Sequence, residues 1–400
     1  MAKLRGLAQI GFLSLAGVAH LLAAPSSFAA PGGLEWGRFQ LGPEVSVAES
    51  YTDNLFLTEE DEEEEFINTI SPKLALSFAI TPADHLGLAY QADVDTYHKR
   101  DELNRIGHRA KLSYAGTRSS GSQYRLGAEL QDRAIPPLAK TERDKNYRTE
   151  RGFLDSEIRL GPVSALDLGY DYLRRRFEND LNEGDDFDRH SIRAGFVYDR
   201  FPLTSLLCQY SFLTQDNNDP GGTSTDMKTH TVFAGFRRKP AARLSGSLKG
   251  GYTKTDVEDF EGFSGLALEG DLVYDLSGLS HLTLTLFRNL VSSTAAERET
   301  NIYYISTGAT IDLAYRRWPR VELGTSLSGR RNDFQGAEDL LGGERTDDYY
   351  SAALRAKYAL TSWVSSAVEY RIRDNDSTVD GYGYRENIIE LRLHFHMREI

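Results

Sequence analysis

A run of alternating apolar and polar residues between positions 265 and 289 has a pattern that the rest of the chain repeats. Successive side chains of a β-strand point to opposite faces, so this alternation gives each strand one apolar and one polar face. Ser277 and Gly278 separate two such runs and are typical of a tight turn. We therefore predict a β-hairpin with arms of roughly ten residues, about the length that a tilted strand needs to cross a bilayer. The apolar set is Leu266, Leu268, Leu272, Tyr274, Leu282, Leu284 and Leu286.

Similar segments recur at intervals of roughly 20 residues, a spacing typical of membrane barrels. We predict an all-β protein, a transmembrane antiparallel up-and-down β-barrel of about eighteen strands. An even strand number agrees with single-chain bacterial barrels. Besides the two arms of the hairpin, the predicted strands are residues 43–52, 67–80, 85–97, 106–114, 123–133, 152–160, 165–177, 189–198, 204–214, 229–237, 243–255, 301–313, 321–331, 349–358, 363–373 and 384–395.

The connections between these segments alternate in length. Those after even-numbered strands are short, as at residues 81–84 and 161–163. Short turns belong to the periplasmic end of such barrels and long loops to the outside. The pattern predicts an outer-membrane protein of a Gram-negative bacterium with both termini in the periplasm. The long, polar connections follow odd-numbered strands and are residues 58–65, 134–151, 178–188, 215–226, 332–346 and 375–383.

The N-terminal residues have the layout of a secretory signal peptide. Lys3 and Arg5 precede an apolar core at residues 10–24, and small residues follow at the position of a cleavage site. We predict a signal peptide over residues 1–29 and a single barrel domain over residues 30–400. No apolar run of about 18 residues follows the signal, so we predict no transmembrane helix.

Charge and motifs narrow the functional classes. The formal net charge of −13 argues against a nucleic-acid partner. We find no His-Glu-x-x-His, Gly-x-Ser-x-Gly or glycine-rich phosphate motif, so we predict no enzyme, no cofactor and no metal site. The acidic runs at residues 59–65 and 178–188 contain oxygen ligands that suit Ca²⁺ bridging to lipopolysaccharide. A self-repelling, solvated loop is the simpler interpretation of both runs.

The polar face of the predicted strands is strongly charged. A charge facing lipid at mid-depth costs about 2–4 kcal/mol, so these side chains are expected to line a wet lumen. We weigh two interpretations equally: a lining that selects a polar solute, and a solvated wall of internal salt bridges. The predicted pore-lining residues are Lys73, Asp93, Asp95, Arg109, Lys111, Arg125, Glu129, Asp155, Glu157, Arg159, Asp171, Arg193, Lys249, Glu269, Asp271, Glu322, Arg355, Lys357, Glu369, Arg371, Glu390 and Arg392.

The first predicted hairpin carries a short motif. Tyr51-Thr52-Asp53-Asn54 ends one strand, and Ile70-Ser71-Pro72 lies in the next. This arrangement resembles the β-barrel porin type 2 family, whose members often accompany exopolysaccharide or capsule export machinery. The resemblance implies polysaccharide export or secretion through a polar channel. It also implies contact with outer-membrane lipid and lipopolysaccharide, with periplasmic export proteins, and with polysaccharide or small polar solutes.

Other functions remain open for a barrel of this kind. One alternative is a general diffusion porin, and another is the sheath of an electron-conduit complex. A surface protein that adheres through its loops belongs to a third class. A lipid-modifying barrel enzyme would need a Ser, His and acidic group on the lipid face, and we find none. Neighbouring glycosyltransferase genes would favour export, whereas multihaem cytochrome genes would favour the sheath.

Overall fold

The computed structural model describes residues 33–135, 145–178, 186–218, 224–239, 243–292, 303–335 and 345–397. These residues form nineteen β-strands and one short 3-10 turn at Asp101–Leu103. The strands are β1 (Leu34–Trp36), β2 (Phe39–Thr52), β3 (Glu65–Thr81), β4 (Asp84–Tyr97), β5 (Arg105–Thr117), β6 (Gln123–Ile135), β7 (Lys145–Gly161), β8 (Ser164–Phe177), β9 (Phe187–Tyr198), β10 (Thr204–Asn217), β11 (Met227–Arg238), β12 (Leu244–Val257), β13 (Phe260–Ser277), β14 (Ser280–Ser292), β15 (Tyr303–Trp318), β16 (Val321–Gln335), β17 (Thr346–Ala359), β18 (Val364–Ser377) and β19 (Tyr384–His396).

Strands β2 to β19 close into a single antiparallel barrel. Each pairs with its neighbours in the chain, and β19 pairs with β2 over nine residues from Ile388↔Thr52 to His396↔Glu44. The predicted eighteen-stranded barrel is therefore confirmed. Closure gives every strand a partner on both sides, so no long edge is left unpaired.

Most strands are longer than the sequence pattern predicts. β13 has 18 residues rather than roughly ten, and β7 begins at Lys145 rather than at residue 152. Beyond the bilayer both faces of a strand are in water, so the apolar alternation stops while the hydrogen-bond ladder continues. The predicted loops are shortened accordingly.

The connections at the two ends of the barrel differ in length, as predicted. The turns from β3 to β4, β7 to β8, β13 to β14 and β15 to β16 each contain two residues. At the opposite end one connection breaks the rule, because only Glu258 and Asp259 join β12 to β13. Asp259 has a φ of 60°, in the left-handed region that tight turns need. Which end faces the periplasm stays a prediction.

The short strand β1 protects the seam of the barrel. β19 reaches along β2 only as far as Glu44, whereas β1 pairs with β2 from Leu41 to Phe39. β1 thus covers the stretch of β2 that β19 leaves open. An uncovered edge would offer free N–H and C=O groups to another chain.

The outer surface of the barrel is an apolar belt. Leu266 is 71% exposed and Leu354 62% exposed, and these positions share their parity with the other exposed leucine, isoleucine and tyrosine side chains. Two tyrosines at strand ends are buried. Tyr97 packs against Leu55 and Phe56, and Tyr303 packs against neighbouring apolar side chains. Within the described residues, no helix is long and apolar enough to span a membrane.

Candidate functional site: the inner face of the barrel

The polar residues of each alternating strand point to the inner face of the barrel. On β13 and β14, Asp271 accepts a hydrogen bond from Thr285 at 3.1 Å, while Leu272 and Leu284 pair on the opposite face. Contacts between strands that are not neighbours identify the concave side, because side chains can meet across intervening strands only inside the barrel. The structure places the predicted charged residues on this face; their part in conduction stays a prediction.

One side of the inner face, which we call the packed wall, comprises the inward side chains of β6 to β13. Arg193 on β9 donates to Asp155 on β7 at 3.0 Å and lies 3.3 Å from Asp167 on β8. Arg125 on β6 lies 3.6 Å from the same Asp155. Asp155 is only 9% exposed. These groups form a buried network of ion pairs between carboxylates and guanidinium groups.

The packed wall also contains bridges over longer intervals. Arg237 on β11 donates to Glu157 on β7 at 2.9 Å, across three intervening strands. Arg159 lies 2.7 Å from Glu157, and Lys249 on β12 pairs with Glu269 on β13. Strands lie about 4.8 Å apart, so a contact across four intervals requires a strongly curved wall. Long side chains therefore fill this part of the lumen.

Apart from Lys111, the remaining predicted residues on β3 to β8 and β19 also find partners on the inner face. Lys73 lies 3.1 Å from Glu44, and Arg105 lies 2.9 Å from Asp95. Further contacts join Ser71 to Asp93, Arg109 to Glu129, Arg151 to Asp171, and Arg392 to Glu390. Lys111 lies level with Glu129 in the pairing of β5 and β6.

The opposite side, which we call the open wall, comprises the inward side chains of β14 to β18. It contains a groove of about 510 Å³. Small and hydroxyl-bearing residues leave the space that arginine and glutamate fill on the packed wall. Those that line the groove include Thr283, Thr285, Thr310, Ala314, Gly324, Ser326, Ser328, Ser351 and Ala353.

Positive charge dominates this groove. Its lining includes five cationic side chains but only Asp312 and Glu322 as acids. Glu322 is bound by Arg316 at 2.8 Å. The cations are Arg330, Arg355, Lys357, Arg371 and Arg373.

Glu369 lies beside the groove and is shared by two of these cations. Arg355 donates to it at 2.6 Å, and Arg371 contacts its other oxygen. The ammonium group of Lys357 makes no hydrogen bond or ion pair within the part of the chain that the structure describes. The open wall therefore keeps a positive excess after its ion pairs are formed.

The predicted site omitted several inward residues of the same parity. Arg330 follows Glu322 on β16 and Arg373 follows Arg371 on β18, so strict continuation of the period of two would have found both. Arg237 lies near the end of its strand and bridges to Glu157 only because the wall curves. No sequence signal reports that contact.

The motif in the first hairpin closes the barrel near the long loops. The Asp53 carboxylate accepts hydrogen bonds from the backbone and side-chain nitrogens of Asn387, both at 2.7 Å. Thr52 donates to Glu386 at 2.8 Å, and Asn54 donates to the backbone oxygen of Arg385 at 2.9 Å. Successive motif residues therefore join the first barrel strand to the last.

The acidic run that follows this motif is held by basic partners. Arg100 donates to Glu63 at 2.7 Å, and that hydrogen bond raises the pKa of the guanidinium group. Lys99 donates to Glu64 at 2.7 Å, which lowers the pKa of the Glu64 carboxyl. Among the described residues, no group of three His, Cys, Asp or Glu side chains is placed to hold a metal ion. Much of the second acidic run, residues 179–185, lies outside the described residues.

The closed barrel and its polar inner face agree with a family comparison. Residues 168–397, more than half of the chain, match the model of the family described as "Putative beta-barrel porin 2". The chain belongs to this family. The match begins on β8 and ends just after β19, so it excludes the Tyr51–Asn54 motif on which the resemblance rested. The protein is an outer-membrane β-barrel of porin type.

The chain is similar to several solved structures at low sequence identity. The FrpB iron transporter from Neisseria meningitidis is 8% identical with a TM-score of 0.51, over 91% of this chain and 82% of that one. OpdO from Pseudomonas aeruginosa is 13% identical with a TM-score of 0.48, over 90% and 97% of the two chains. The siderophore receptor PirA from Pseudomonas aeruginosa is 10% identical with a TM-score of 0.45, over 89% and 80%. No curated protein sequence matches the chain.

Proposed function

We propose that this porin-family barrel forms a polar channel for export of a polysaccharide across the outer membrane, without enzymatic activity. The open wall is the observation that carries the proposal. Its groove offers hydroxyl and charged groups at successive levels, and a hydroxyl-rich chain needs such partners to replace its hydration. The exopolysaccharide association of the family supports the direction of transport.

Deletion of the gene tests this function directly. We expect the deletion strain to lose surface polysaccharide and to accumulate it in the periplasm, with recovery on complementation. Purified protein in planar bilayers should carry ionic current. Normal export together with slower uptake of small sugars would instead support the general diffusion porin.

We propose that both termini and the two-residue turns lie in the periplasm, where export proteins would dock. An epitope tag at Gly278, between β13 and β14, should be labelled by antibody only after the cells are permeabilised. A tag at Gly221, in a long connection outside the described residues, should be labelled on intact cells. The reverse pattern of labelling would invert the orientation.

A further inference from the structure

Five cations follow one another along the open wall in register. The successive inward positions of β17 are Lys357, Arg355, Ala353, Ser351 and Tyr349. Each of these five levels holds one cation of the groove. The cations are Lys357 and Arg355 themselves, Arg371 level with Ala353, Arg373 level with Ser351, and Arg330 level with Tyr349.

These five residues, which we call the cation ladder, lie at evenly spaced levels along the strands. Inward positions two residues apart are separated by about 6.8 Å. Five levels therefore cover roughly 27 Å along the strands, or roughly 20 Å along the axis of a tilted barrel. That length is a large part of the ~30 Å hydrocarbon core of a bilayer.

Acidic side chains neutralise the cation ladder only in part. Arg355 and Arg371 share the single carboxylate of Glu369. Glu386 lies 3.2 Å from Arg373, and Arg330 packs over the ring of Tyr349 at 4.1 Å. On the packed wall, by contrast, carboxylates contact each of Arg125, Arg193, Arg237 and Lys249.

We infer that the cation ladder is a binding track for an anionic oligosaccharide or polysaccharide. This inference rests on the proposed function and specifies its substrate class. Several moderate sites in series suit conduction, because an anion can leave one cation as it reaches the next. The nearby serine and threonine hydroxyl groups supply hydrogen bonds to sugar hydroxyls.

Lys357→Glu is the sharpest variant, because this lysine makes no ion pair whose loss would disturb the fold. Lys357→Arg preserves the charge and serves as the conservative variant. Lys228→Glu is the matched control, since it changes net charge equally but lies exposed on the outward parity of β11. Heat-modifiable gel mobility would verify that each variant is folded.

Binding of oligogalacturonate and of neutral maltohexaose would be measured by calorimetry on the protein in detergent. We expect the wild type to prefer oligogalacturonate, and the preference to weaken as salt screens the charges. Lys357→Glu should weaken that binding about five- to tenfold, whereas Lys357→Arg and Lys228→Glu should retain it. Equal affinity for the two oligosaccharides, or an equal loss in Lys228→Glu, would overturn the inference.

The same variants in planar bilayers separate this inference from the proposed function. A tenfold KCl gradient should give a reversal potential that favours anions in the wild type and shifts towards cations in Lys357→Glu. If the protein conducts without charge preference and binds both oligosaccharides equally, the channel is supported and the anion-binding role of the cation ladder is wrong. If the protein binds oligogalacturonate through Lys357 but carries no current, the binding track is supported and the proposed channel function is wrong.

Discussion

The packed wall and the open wall have the same backbone pattern but use their inner faces differently. On the packed wall, Arg193, Asp155 and Glu157 extend across the concave surface and meet partners from other strands. On the open wall, Thr283 and Ser326 are too short to do so and leave a groove. The period of two decides which side chains face inward, whereas their length and charge decide whether the lumen is filled.

The largest difference between the walls should appear when one acid is neutralised in each. Asp155→Asn leaves two guanidinium groups short of charge in a buried network and should destabilise the barrel by about 3 kcal/mol. Glu322→Gln breaks an ion pair with Arg316 that is largely exposed, so its effect should be below about 1 kcal/mol. Urea midpoints of the two folded variants would measure both effects. Equal losses of unfolding free energy would mean that the ion pairs of the packed wall are no better buried than those of the open wall.

A second test addresses the faces of the hairpin that begins the open wall. Leu284→Arg should cost about 2–4 kcal/mol if the side chain lies near the bilayer midplane. Thr283→Arg should be tolerated, because that position faces the groove. Heat-modifiable mobility and urea midpoints in lipid would compare the two. Greater damage from Thr283→Arg would mean that the register is displaced by one residue, which exchanges the faces.

The smallest expected effect concerns space at two inward glycines. A Cβ at Gly169 would lie 2.9 Å from the Arg193 guanidinium carbon. Ion pairs with Asp155 and Asp167 hold this guanidinium group, so Gly169→Ala should destabilise the packed wall by about 1 kcal/mol. A Cβ at Gly324 would meet nothing closer than 3.7 Å. Gly324→Ala should therefore be neutral or stabilise by about 0.4–1 kcal/mol. Urea unfolding of both variants would measure these effects. Similar midpoints would contradict the claim that the two walls differ in packing at these glycines.

The strand pattern was largely predictable, because a membrane forces apolar and polar residues to alternate on every crossing strand. The predicted segments correspond to β2 through β19, and Leu284 and Thr283 lie on the predicted faces. The strand ends were less predictable. Beyond the bilayer both faces meet water, so β7 and β13 continue without the alternation that marked them.

The sequence by itself determined the barrel, its strand number and the parity of each charge, since these follow from a period of two and the cost of charge in lipid. Only the tertiary structure decided which charges meet. Glu157 and Arg237 are 80 residues apart and touch because the packed wall curves. The cation ladder combines positions from β16, β17 and β18, and their levels depend on strand register. Register and curvature are properties of the closed sheet, so no single strand encodes them.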